Sequence, residues 1–173
     1  MQPTETLFAS RWLALYRTGN WEFVRRPQAD HAVGILAVTP ANEIILVEQY
    51  RPPMARRIIE IPAGLVGDEE AHRGESLAET ARRELLEETG YHAAEMRLLV
   101  SSPTSAGMTS ELTHLFHATG LERRHDGGGV SGESIRVHLV PLPTLRPWLA
   151  AREGEGMWVD FKIHAALWLA DIR

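Results

Sequence analysis

The chain contains no cysteine. That excludes disulfides, thiolate metal sites and a cysteine nucleophile, and it fits a reducing cytoplasm. Long apolar runs are missing as well. The longest, around residues 33–38 and 44–47, are strand-sized, so no membrane span is expected, and residues 1–10 lack the basic start and apolar run of a signal peptide. Lysine is almost absent: of eighteen basic residues only Lys162 is lysine. The planar fork of arginine suits phosphate, although arginine-favouring codons account for the bias more simply. Positive charge is also the minority sign, with a formal net charge of −5. A nucleic-acid backbone as main partner is therefore not expected, because such partners are held by clustered Lys and Arg. A small polyphosphate remains open, provided that a divalent cation supplies the positive charge.

What is present is enough for one soluble globular domain. The chain has 173 residues, of which 44% are hydrophobic. Two aromatic-rich runs, residues 11–17 and 21–25, flank Thr18-Gly19-Asn20 and predict an amino-terminal β-hairpin. Residues 31–39 and 43–49 are rich in Val, Ile and Leu around Pro40-Ala41-Asn42 and predict a pair of central, buried strands. Prolines 52, 53 and 62 leave room only for a short strand at 58–61. Further strands are expected at 96–101, 112–119 and 135–140, and helices at 142–152 and 161–172. Between Leu121 and Glu133 the composition turns to His, Asp, Gly and Ser, which predicts a mobile surface loop.

The most secure helix covers residues 76–89, which hold neither Gly nor Pro and end at Gly90, suited to a left-handed cap. At about 100 degrees per residue, Glu88 lies about 40 degrees from Glu84 and Glu87 about 60 degrees to the other side. Three carboxylates thus share one face, beside an apolar stripe of Leu77, Ala78, Ala81 and Leu85. Like charges so placed repel unless a hard cation neutralises them, and oxygen-only ligands suit Mg2+ or Mn2+. An ordinary acidic helix with surface ion pairs fits the wheel equally well. Arg83 is spaced to pair with Glu79 or Glu87.

The run Arg83-Glu84-Leu85-Leu86-Glu87-Glu88-Thr89-Gly90-Tyr91, preceded by Gly74-Glu75 and by Pro62-Ala63-Gly64, resembles the signature box of the Nudix hydrolases. The spacing from Glu75 to Arg83 matches that family. The spacing from Gly64 to Glu75 is eleven positions, five more than the pattern, with the surplus within residues 66–73. A surface-loop insertion costs little. The resemblance implies an α/β (α+β) fold, a Nudix-like α/β/α sandwich with a mixed β-sheet over residues 31–173. It also implies that the strands of residues 1–30 serve dimerisation.

It further implies metal ligation by Glu84, Glu87, Glu88 and the backbone carbonyl of Ala63, with Glu75 and Arg83 in support. Beyond the box the chain is similar to the ADP-ribose pyrophosphatase branch. Val47-Glu48-Gln49-Tyr50-Arg51 resembles that branch's strand ending near the substrate phosphates, which would make Arg51 a phosphate ligand, since its guanidinium can fork two oxygens. Arg26, just after the second predicted strand, is a further phosphate candidate. The segment Gly107 to Glu111 puts Glu111 near the terminal sugar, although a plain polar turn fits it too. Glu133, after Gly127-Gly128-Gly129, would be a base delivered by the loop. Trp12 would stack on adenine, with the amino-terminal strands lent across a homodimer, while core or dimer contact is the commoner use of such a Trp. No role falls to His31, His92, His114 or His117.

The expected activity is Mg2+-dependent (or Mn2+-dependent) hydrolysis of a small nucleoside diphosphate derivative, ADP-ribose giving AMP and ribose 5-phosphate, in the cytoplasm, with no nucleic acid or membrane as partner. The alternatives are a hydrolase of a sugar nucleotide such as GDP-mannose and a non-catalytic ADP-ribose-binding module.

Overall fold

The computed structural model describes residues 2–67, 70–130 and 134–172. The amino-terminal part is a three-stranded antiparallel sheet, β1 (Thr4–Ala9), β2 (Ala14–Thr18) and β3 (Trp21–Arg25), in that order. The expected hairpin is β2–β3, closed between Thr18 and Trp21 by Gly19-Asn20 with Gly19 at φ 60°. Two departures have local causes. Residues 11–13 turn rather than extend, because the Ser10 hydroxyl accepts the Leu13 N–H at 3.0 Å. Strand β1 carries almost no burial signal in Thr4–Ala9, five of whose six residues are exposed.

The remainder comprises β4 (His31–Ala37), β5 (Glu43–Arg51), β6 (Arg56–Glu60), β7 (Ala63–Leu65), α1 (Leu77–Thr89), β8 (Tyr91–Pro103), β9 (Leu112–Arg123), β10 (Arg136–Pro141), α2 (Leu145–Gly154), β11 (Trp158–Val159) and α3 (Lys162–Leu169). They form two four-stranded sheets, ordered β7-β4-β9-β8 and β10-β5-β6-β11. Both sheets are mixed, since β4 runs parallel to β9 and β6 to β11 while the other pairs are antiparallel. Strands β4 and β5, expected as partners, lie in different sheets and meet at the bridge between Val38 and Ile44. Each is buried on both faces and needs a neighbour along both edges, so each sits inside its own sheet.

Alternate residues of these strands feed two cores. Leu36, Ile44, Leu46 and Ile59 pack with Leu145 and Leu149 of α2 and Ile163 and Ala166 of α3. Val33, Ile35, Ala37 and Ile45 pack with Ala81 and Leu85 of α1. Helices thus cover both sides, giving the α/β/α sandwich that the sequence led us to expect. Among the described residues no helix is long and apolar enough to cross a membrane.

Buried Glu48 on β5 braces three strands by accepting from Arg57 on β6 and from His138 on β10, the latter at 2.8 Å. Burial raises its pKa, but the hydrogen bonds from His138 and Arg57 outweigh that and hold it below the usual carboxylate range.

Helix α1 begins with a capping box: Ser76 accepts from the Glu79 N–H at 3.3 Å, and Glu79 accepts from the Ser76 N–H at 2.8 Å. It ends on Gly90 at φ 77°. The stretch expected as a mobile surface loop is partly built into the fold among the described residues. Strand β9 continues to Arg123, and the following glycines dock on the end of α1. Gly128 donates to the Glu88 carbonyl at 2.8 Å and Gly129 to the Glu87 carbonyl at 3.1 Å. Those carbonyls have no partner inside the helix, and the left-handed backbone of Gly127, Gly128 and Gly129 lets two consecutive amides reach them.

Candidate active site

Pro62-Ala63-Gly64 runs beneath α1 and seats two of its carboxylates. The Ala63 N–H donates to Glu88 Oε2 at 3.0 Å. A Cβ placed on Gly64 would lie 2.0 Å from Glu84 Cδ, so the Glu84 carboxylate occupies the space that only glycine leaves. These residues are one helical turn apart on the face that the wheel selects.

Arg83 sits among the carboxylates. Its Nη1 is 2.9 Å from Glu84 Oε1 and 3.0 Å from Glu87 Oε2, and its Nε is 3.2 Å from Glu75 Oε2. Of the two partners that the spacing allowed, it takes Glu87, because Glu79 is engaged in the helix cap. Burial works against the Arg83 charge, but Glu84, Glu75 and Glu87 outweigh it and raise its pKa. Thr80 also donates to Glu75, at 3.1 Å. The surplus residues between Gly64 and Glu75 therefore do not take Glu75 away from the cluster. They include a 3-10 turn at Glu70–His72, while residues 68 and 69 lie outside the described residues.

In front of Ala63 and Gly64 opens a cleft of about 520 Å3. Arg26, Arg51, Glu60 and Glu111 also line it. Arg51 grips Glu60 with two hydrogen bonds, at 2.8 and 3.3 Å, and Arg26 donates to Glu111 at 3.0 Å. Trp12, 62% exposed, borders an adjoining hollow that shares Arg26 and Leu65 with the cleft, and the Arg11 guanidinium lies 4.5 Å over its ring. Trp21 is instead tied to the loop before Glu111, donating to the Gly107 carbonyl at 3.1 Å.

Arg26, Arg51, Ala63 and Glu111, far apart in sequence, thus share one cleft, with Glu84 and Glu88 held against its Ala63-Gly64 wall. Glu87 belongs to the Arg83 cluster, and Trp12 stands beside the cleft. Glu133 lies outside the described residues. Sequence reasoning passed over Glu60, whose alternation with buried Ile59 and Ile61 is the signal that would have turned it towards the cleft. His114 hydrogen-bonds His31 at 2.9 Å and Ser101 at 2.7 Å, a polar tie across β4, β9 and β8. Burial, then the neighbouring His31, lowers the His114 pKa.

The donor set fits a hard divalent cation. Glu75, Glu84 and Glu87 share one guanidinium and Glu88 stands beside them, an excess of negative charge built from oxygen donors. Among the described residues no three such groups already stand as a finished cation site. Glu84 and Glu87 are turned towards Arg83, and Glu88 towards the Ala63 amide.

The NUDIX domain profile matches residues 29–157. The chain belongs to the NUDIX family. The chain is 38% identical over 148 residues to the methanol dehydrogenase activator of Bacillus methanolicus, covering 80% of this chain and 75% of that protein. It is 37% identical over 126 residues to the ADP-ribose pyrophosphatase of Bacillus subtilis, covering 68% and 64%. A GDP-mannose pyrophosphatase of Salmonella arizonae is 35% identical over 120 residues, covering 65% and 59%. The crystal structure of an ADP compounds hydrolase superposes with a TM-score of 0.72 at 21% identity, covering 98% of this chain and 90% of that one, which shows a shared NUDIX fold.

Proposed function

We propose that the protein hydrolyses the diphosphate of a nucleoside diphosphate derivative, with ADP-ribose giving AMP and ribose 5-phosphate. The observation that carries this reading is the seating of Glu84 and Glu88 against Ala63 and Gly64, on the wall of a cleft that also holds Arg26, Arg51 and Glu111. Water attacks one phosphorus, the bond from that phosphorus to the bridging oxygen breaks, and the bridging oxygen leaves with the other phosphate.

Glu84, Glu87, Glu88 and the Ala63 carbonyl would hold Mg2+ or Mn2+, which when bound lowers the pKa of water and offsets phosphate charge. Arg51 and Arg26 exchange their carboxylate partners for phosphate oxygens, a swap that the forked guanidinium accommodates. Glu111 faces the terminal sugar, Trp12 stacks on the base, and Glu133 accepts the proton of the attacking water. Residues 1–30 form the dimer contact, which their exposed Phe8, Leu13 and Trp21 support. A cytoplasmic protein acting on small molecules is consistent with the lack of cysteine and the net charge.

The test is release of AMP from ADP-ribose by the purified protein with Mg2+ or Mn2+, with GDP-mannose alongside. AMP release supports the reading, faster turnover of GDP-mannose favours a sugar-nucleotide hydrolase, and tight binding without turnover favours a binding module.

A further inference from the structure

We infer that Lys162, the first residue of α3, binds an anionic oxygen of the substrate diphosphate in the cleft it shares with Ala63 and Gly64, an inference that rests on the hydrolase reading above. In a chain with seventeen arginines to one lysine, the lysine stands on the cleft itself. Topology brings it there. Strand β11 pairs with β6, and Asp160 continues that register by donating its N–H to the Ile59 carbonyl at 2.9 Å. Lys162 follows two residues later and lines the cleft with Ile58 and Glu60 of β6.

The side chain is held in place. One oxygen of Asp160 accepts the Lys162 backbone N–H at 2.8 Å, and the other oxygen pairs with its ammonium group. The Phe161 ring lies 5.5 Å from the same ammonium. With 19% of the side chain exposed, the charge is partly desolvated, which strengthens its pull on an anion.

Three ion pairs therefore border the cleft: Arg26–Glu111, Arg51–Glu60 and Lys162–Asp160. Each cation is balanced before substrate arrives, and a diphosphate competes for all three. The ammonium carries three donors on a compact charge. Asp160 takes one direction, leaving capacity for phosphate oxygens. A plain brace for the start of α3 would make the same contact with Asp160 but would not respond to substrate.

Because the chain has one lysine, amine chemistry reads this position almost alone. The wild-type protein is reductively methylated with Mg2+ present, with and without the α,β-methylene analogue of ADP-ribose, and the Lys162 peptide is resolved by mass from the α-amino group. Calorimetry under the same conditions gives the Kd. With the analogue tenfold above its Kd, methylation of Lys162 should slow about tenfold. An unchanged rate overturns the assignment. In a second arm, Lys162→Met should raise KM for ADP-ribose roughly tenfold with kcat within about twofold, the size expected for one charged hydrogen bond. An unchanged KM, or kcat falling together with Tm, marks a brace and overturns it. AMP release without protection removes Lys162 alone. Protection without AMP release removes the hydrolase reading and keeps Lys162 as a binding residue, and the absence of both removes the two together.

Discussion

The carboxylate of Glu84 lies where a side chain on Gly64 would stand: an added Cβ would be 2.0 Å from Cδ and 2.2 Å from Oε1. The atoms in the way are the far end of a flexible side chain, so a Gly64→Ala protein should fold by swinging Glu84 aside. We expect a Tm within a few degrees of wild type and kcat lower by about 10²-fold or more, if Glu84 contributes several kcal/mol through the cation. Melting curves and AMP release check this, and a large Tm loss with normal kcat would contradict it.

Gly127 presents the opposite case. A Cβ there meets backbone, 2.5 Å from the Thr89 carbonyl carbon, at φ 72°. Backbone cannot step aside cheaply, and a left-handed alanine costs about 1–2 kcal/mol before any clash. Gly127→Ala should therefore lower Tm by roughly 4 °C or more, at about 2–4 °C per kcal/mol for a chain of this size. An unchanged Tm would mean that the glycine cap contributes little to holding α1.

Replacing the acids separately ranks them. Glu84→Gln and Glu88→Gln should each cut kcat by about 10²–10³-fold while the base and sugar contacts keep measurable affinity. Glu87→Gln, at the more exposed end of the Arg83 cluster, should cost less. Steady-state kinetics with calorimetric binding decides, and equal losses for all three would argue against this order.

Glu48 gives a pH prediction. Its pKa is depressed in the folded protein, so its stabilising effect is present above the ordinary carboxylate value and is lost as pH falls through the folded value. Glu48→Gln should be less stable than wild type near neutral pH, with the gap closing in the acid range. Urea unfolding at several pH values reads this directly, and a gap that widens on acidification would show the sign to be wrong.

The legibility of the sequence follows the range of the physics. Helix α1 could be read because Ser76, Glu79 and Gly90 act within a turn or two, and periodicity alone puts Glu84 and Glu88 on one face. The separation of β4 and β5 into two sheets could not, because their partners, β9 and β10, come from distant sequence. Lys162 was passed over as a site residue for the same reason: it reaches the cleft only once β6 and β11 lie side by side. Glu60 was passed over although its alternation with Ile59 and Ile61 is local, because what that face meets, Arg51, depends on the pairing of β5 with β6. Strand β1 escaped because its mostly exposed residues leave no apolar alternation. The docking of Gly128 and Gly129 on α1 was hidden in a composition that also describes an idle loop.

Arg83 has one more consequence, for the life of the protein without its ion. Zinc-finger domains unfold when metal is withdrawn, because ligand repulsion and a small core leave nothing else to hold them. Here the helix carries a built-in counter-charge, which bridges Glu75, Glu84 and Glu87 from the start. Loss of the cation should silence the enzyme and leave the fold standing. A chelated sample should recover full activity on adding Mg2+ back, with no refolding lag.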